Sequence, residues 1–217
     1  MAEPLLTPRF LFRFSTPCLR TDAVWSHAGL QLGEEHRLVS FAEFDDLATF
    51  ADVRMGWSPA GIAFNLRVQG KRQAPWCRET QMSDSDGLHV WIDTRDTHNI
   101  HRATRFCHRF AFLPSGGGSR REDAASGQLL INRSREHPRP AERGHLKVRA
   151  EKRVDGYLME AFIAANALTG YDPEEHPKLG FTYAVLDREF GDQTFSVGAG
   201  FPYDEDPSLW ATLELAK

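Results

Sequence analysis

The chain has few cysteines, no long apolar run and no excess of positive charge, and each shortage excludes something. Its three cysteines, Cys18, Cys77 and Cys107, lie far apart and form no CxxC pair. That argues against a disulfide framework and against a structural zinc site, and suits small apolar side chains in a core. The first 30 residues hold no apolar stretch longer than Phe10-Leu11-Phe12, too short for a secretory leader. No segment approaches the ~20 apolar residues of a membrane helix. The formal net charge of −4 lacks the basic excess of a nucleic-acid binder. These absences imply a soluble, cytoplasmic protein with neither nucleic acid nor membrane as a partner. Catalytic signatures are missing too: there is no G-x-S-x-G, P-loop, H-E-x-x-H or G-x-G-x-x-G. Gly116-Gly117-Gly118 lacks the Lys-Ser/Thr of a phosphate cradle. The expectation is a protein that is not an enzyme.

What is present reads as sheet. At 217 residues the chain can bury roughly 70% of its unfolded surface without staples. Aromatic and β-branched residues recur in short runs, the sheet-forming types. Asp52 to Trp57 alternates, Ser58-Pro59-Ala60-Gly61 is a turn by composition, and Ile62, Phe64, Leu66 and Val68 alternate again, giving a hairpin. Leu146 to Glu151, the Val154-Asp155-Gly156 turn and Tyr157 to Ile163 repeat the pattern. Ala164 to Leu168 is a helical turn closed by Gly170, and Glu43 to Phe50 another. Further strands are expected at 9–14 (an edge, bracketed by prolines), 129–132, 179–185, 194–199 and 210–215, with 114–128 a flexible excursion. Many short strands with little helix predict one all-β domain over residues 1–217, an antiparallel β-sandwich of jelly-roll or immunoglobulin-like type with long loops.

The central stretch carries the chemistry. In Gly87 to Asp93, Leu88, Val90 and Ile92 share one face and His89, Trp91 and Asp93 the other. In Arg105 to Phe112, Phe106, His108, Phe110 and Phe112 share a face. The loop between adds Arg95, Asp96, His98 and His101. With the apolar set facing the core, His89 and Trp91 fall on the outer face. A groove floored by Trp91 and His108 and walled by Trp76 and Arg95 follows. Trp76 and Trp91 suit sugar stacking, since a ring face offers large contact area at low entropic cost. Against this, Trp91 packs equally well as a covered residue. Arg95 has a guanidinium fork for hydroxyls or a carboxylate. If His89 and His108 oppose each other, a divalent metal becomes an alternative ligand. Asp93 and Asp96 are better suited to orienting the loop, by accepting from its backbone N–H groups.

The order of these elements resembles family 9 carbohydrate-binding modules and the wider DOMON-like sandwiches. The matching stretches are Ala-Asp-Val-Arg-Met-Gly-Trp, Gly-Ile-Ala-Phe-Asn-Leu-Arg-Val, the Trp76 loop and Ser-Asp-Gly-Leu-His-Val-Trp-Ile-Asp. Later come Gly-Tyr-Leu-Met-Glu-Ala-Phe-Ile and Leu-Gly-Phe-Thr-Tyr-Ala-Val-Leu-Asp, so the likeness covers about residues 50–113 and 145–213. The resemblance implies a non-catalytic module that binds a sugar or another polar small molecule; read with the residue pattern above, the ligand-binding set is Trp76, His89, Trp91, Arg95 and His108, with no cofactor needed and the oligomeric state open. It implies that Glu160 is structural. His89 stands where the family usually places a Glu. The DOMON side implies an alternative, a haem held by Met55 and His108.

Overall fold

The computed structural model describes residues 13–22, 25–26, 29–40, 49–198 and 200–216. Strands make up 45% and helix 8%, which places the molecule in the all-β class. The strands are β1 (Ser15–Leu19), β2 (Ala51–Ser58), β3 (Gly61–Gln69), β4 (Gly87–Asp93), β5 (Cys107–Gly117), β6 (Asp123–Leu129), β7 (Leu146–Arg153), β8 (Gly156–Ala164), β9 (Lys178–Asp187), β10 (Gly191–Thr194) and β11 (Ala211–Ala216). Two sheets form a sandwich. One has the order β1-β11-β9-β4-β5-β6, with β10 also paired to β9; the other has the order β2-β3-β8-β7.

Period-two patterning builds the core. The rows Leu88–Phe112, Val90–Phe110 and Ile92–His108 pair across β4 and β5, and Val185, Tyr183 and Phe181 continue them on β9. From the other sheet, Phe64 meets Phe112 and Phe181 with ring centroids 6.4 Å apart in both cases. Each such fully buried side chain contributes about 1.5–3 kcal/mol relative to exposure, and the two sheets bury many of them between their inner faces.

The expected hairpins form with their expected turns, at Pro59-Ala60 and at Val154-Asp155. The turn after β8 is a single 3-10 turn at Ala165–Ala167. Four boundaries differ. The described edge strand is Ser15–Leu19, with residues 13–14 of the expected 9–14 not strand; it includes Pro17 and pairs with β11 in parallel. Residues 9–12 and 43–48, two-thirds of one expected strand and most of one expected helical turn, lie outside the described residues. The strand expected at 194–199 is β10, Gly191–Thr194. The expected excursion at 114–128 is instead a hairpin, because β5 runs on to Gly117 and β6 ends at Leu129, where a strand was expected to begin. The glycines that suggest a loop have a packing cause. Gly116 has φ +100°, and a Cβ there would lie 2.9 Å from the Cys77 carbonyl carbon, so the 76–78 loop lies directly on the strand.

Candidate functional site

The outer face of β4 is covered, so β4 is buried along its whole length. Trp91 is 1% exposed and packs with Ala103, Cys107, Ile131, Ala184, Tyr203 and Trp210. Its ring meets Tyr203 edge-on at 5.5 Å, and its Nε1–H donates to the Asp204 carbonyl at 3.2 Å. The covering segments bring their own apolar residues and complete a second small core outside the sheet. The covered alternative for Trp91 is therefore the observed one.

Register decides the histidines. Because Ile92 pairs with His108, His108 points into the sandwich interior, whereas His89 sits on the outer face. They occupy opposite faces and cannot share an ion, and a groove floored by both Trp91 and His108 does not exist. Each imidazole is buried and neutral. The Thr169 N–H donates to His108 Nε2 at 3.0 Å, so that nitrogen is unprotonated. His89 Nε2 lies 3.2 Å from the Ser85 carbonyl, so that nitrogen carries the proton. Burial pushes both down to about 4, with the Arg109 charge adding to the effect at His89. Among the described residues no group of three or more His, Cys, Asp or Glu is placed to hold a metal. Met55 is core on β2, and the haem reading finds no support.

Arg95 is a tie between loops rather than a groove wall. Its guanidinium donates to the Gly170 carbonyl at 2.5 Å and lies 4.6 Å over the Phe106 ring. Asp93 does hold the loop, accepting from the Arg95 N–H at 2.9 Å and the Thr97 N–H at 2.7 Å. Asp96 instead accepts from the Thr212 hydroxyl.

Trp76 is the predicted aromatic left half-buried. Two exposed residues place guanidiniums on it, Arg188 at 3.4 Å from the ring centroid and Arg78 at 4.9 Å. Its backbone is fixed from below. Asp86 accepts from the Trp76 N–H at 3.0 Å with one oxygen and from the Arg188 N–H at 3.1 Å with the other. Burial pushes the Asp86 carboxyl up. Beneath it Lys71, 3% exposed, lies 2.5 Å from Asp187, 3.7 Å from Glu189 and 3.9 Å from Asp86. A buried cation among three carboxylates thus anchors the loop that carries Trp76.

The same loop reaches the outer face of the large sheet. The 3-10 segment Glu79–Asp84 follows it and ends at an exposed Asp84, whose charge acts on Arg109. Arg109 stands beside Trp91 in the β4–β5 register, its guanidinium 4.9 Å over the indole. Burial pushes Arg109 down, and Asp204, Tyr203 and Asp84 oppose that. Arg109 Nε, Thr182 Oγ1 and His89 Nδ1 share this face and have no hydrogen-bond partner among the described residues. The structure thus keeps His89 and Trp91 together on the covered outer face, leaves Trp76 half-buried on its own loop, and separates Arg95 and His108 from both. Arg109, Asp84 and Arg188 were missed by the sequence reading. Arg109 alternates out of phase with the aromatic run of β5, and only the register shows that it stands next to Trp91.

Two solved structures share this arrangement of strands. The fold is that of a family 9 carbohydrate-binding module. One neighbour is such a module from Caldicellulosiruptor kristjanssonii in complex with cellotriose, with 12% sequence identity, 94% of each chain covered and a TM-score of 0.59. The other is a module of the same family and organism in complex with glucose, at 11% identity over 94% of this chain and 97% of that one, with a TM-score of 0.60. No protein-family model and no curated protein matches the sequence. The family 9 likeness inferred from strand order is thus a likeness of fold, at an identity too low for residue-by-residue transfer.

Proposed function

We propose that this protein binds carbohydrate without chemical turnover, stacking a sugar ring against Trp76. The observation that carries the reading is the fold, shared over nearly the whole chain with two modules bound to cellotriose and to glucose. Trp76 is the residue on which that reading rests here, because it is the half-buried tryptophan on a loop anchored from beneath by Asp86 and Lys71. A sugar's C–H face against an indole gives large contact area for a ring that is already fixed. The guanidiniums of Arg78 and Arg188 supply hydroxyl donors. An exposed cation over a ring is worth only about 0.5–1 kcal/mol, so Arg78 yields its place at small cost. Calorimetric titration with glucose and cellotriose tests the reading. Both bind the native chain, and Trp76→Ala abolishes binding while the protein stays folded. Native protein that takes up neither sugar, or a Trp76→Ala variant that binds as well as native, overturns it.

A further inference from the structure

Trp25 was absent from the site read in the sequence, yet it sits half-buried against the outer face of the four-stranded sheet. Residues 25–26 and 29–32 lie on the outer face of the four-stranded sheet, tied to it at two points. Arg149 donates to the Ser26 carbonyl at 2.5 Å, Glu160 accepts from the Leu30 N–H at 3.1 Å, and Asn65 donates to the Leu30 carbonyl at 2.7 Å. Leu30 and Leu32 pack on Ala63 and Phe162. The Arg149 guanidinium, paired with Glu160, lies 4.8 Å from the Trp25 centroid. The half-buried ring is thereby backed by a guanidinium that is itself held by Glu160.

Two cavities share Trp25 and Lys147. The first, about 460 Å³, lies in the seam between β6 and β7, the edge strands of the two sheets, and reaches from Trp25 to Glu79 on the segment that follows the Trp76 loop. The second, about 450 Å³, continues beyond Trp25 along Pro59, Ala60 and Phe162, with Arg20, Asp22 and Ser58 as polar lining. Each falls in the range of ligand pockets, about 300–1,000 Å³. The first lining is mostly polar and the second mostly apolar, and the Trp25 ring they share is an apolar flat edged by donors and acceptors. That fits a sugar chain, whose rings are apolar on their faces and polar at their rims.

We propose that these cavities form a trough for a linear oligosaccharide, in which Trp25 is a second stacking platform and Lys147 a hydroxyl donor to units in both cavities. The ligand class rests on the carbohydrate reading above; the place does not. The trough makes affinity depend on chain length. Calorimetry on the full chain with glucose, cellotriose and cellohexaose reads it. Cellohexaose binds the native protein at least ten-fold more tightly than glucose. Trp25→Ala removes that advantage and leaves glucose affinity unchanged. Lys147→Ala, an exposed change that spares the fold, lowers cellohexaose affinity several-fold and spares glucose. Equal affinity for glucose and cellohexaose in the native protein overturns the trough, as does native-like cellohexaose binding by both variants. If Trp76→Ala keeps sugar binding and Trp25→Ala loses it, the Trp76 reading falls and the trough stands. If none of the three sugars binds the native chain, both fall.

Discussion

Acidification from pH 7 to pH 5 acts on two histidines buried on opposite faces of one sheet. Unfolded, each imidazole takes its proton near 6.5; folded, only near 4, because burial disfavours the charge and neither ring has a carboxylate partner. Between those values the unfolded chain binds more protons, so stability falls as the pH falls. For one such histidine the penalty is about 0.2 kcal/mol at pH 7 and about 2 kcal/mol at pH 5. The two sites share no partner and are expected to add, giving a loss of roughly 3–4 kcal/mol from a total that is typically 5–15. Asp86 and Asp93, whose carboxyls burial pushes up, act in the opposite sense and flatten the curve toward the carboxylate range. Urea unfolding at a series of pH values is the assay, with His108→Gln as the control, since a carboxamide oxygen still accepts from the Thr169 N–H. The variant starts less stable, but its stability between pH 7 and pH 5 declines by about 2 kcal/mol less than native. Parallel slopes for native and variant would falsify the burial argument.

Three further outcomes follow. Trp91→Ala costs about 3–5 kcal/mol in chemical unfolding, the range for a core tryptophan, because the ring is covered and its N–H is bonded; a loss under 1 kcal/mol means that the covering segments are not held there. Lys71→Met leaves Asp187 and Asp86 buried without their cation and costs about 3–5 kcal/mol, whereas adding Asp187→Leu restores part of it; a neutral single variant contradicts the buried network. Treatment with a chelator leaves the melting temperature unchanged, since His89 and His108 face opposite ways; a fall of several degrees reversed by added metal reopens the metal reading.

Alternation was legible wherever one strand face met the core, which is why β2, β3, β4, β7, β8 and β9 stand where the pattern put them. It shows which residues of one strand share a face. It does not show which face of the neighbouring strand joins them, and that one unknown turned His108 inward. Nor does it show what lies on top of a sheet. The loops over Trp91 come from residues near 100, 131, 203 and 210, which local periodicity cannot bring together. Gly116 and Gly117 have the composition of a loop yet serve as strand, because the neighbouring backbone needs their missing side chains. Trp25 lies where strand signals are weak, and the bonds that hold Ser26 and Leu30 beside it come from β3, β7 and β8.

The parallel pairing of β1 with β11 has a kinetic consequence. Ser15 pairs with Thr212 and Leu19 with Ala216, so the first strand meets its partner across nearly the whole chain. β11 in turn stands between β1 and β9, and no hairpin can nucleate either contact. Such a closure carries a large loop-entropy cost before any pairing energy returns, and topologies of high contact order fold slowly. The β2–β3 and β7–β8 hairpins are local and can form early. The seam between the chain's two ends is the step expected to set the folding rate.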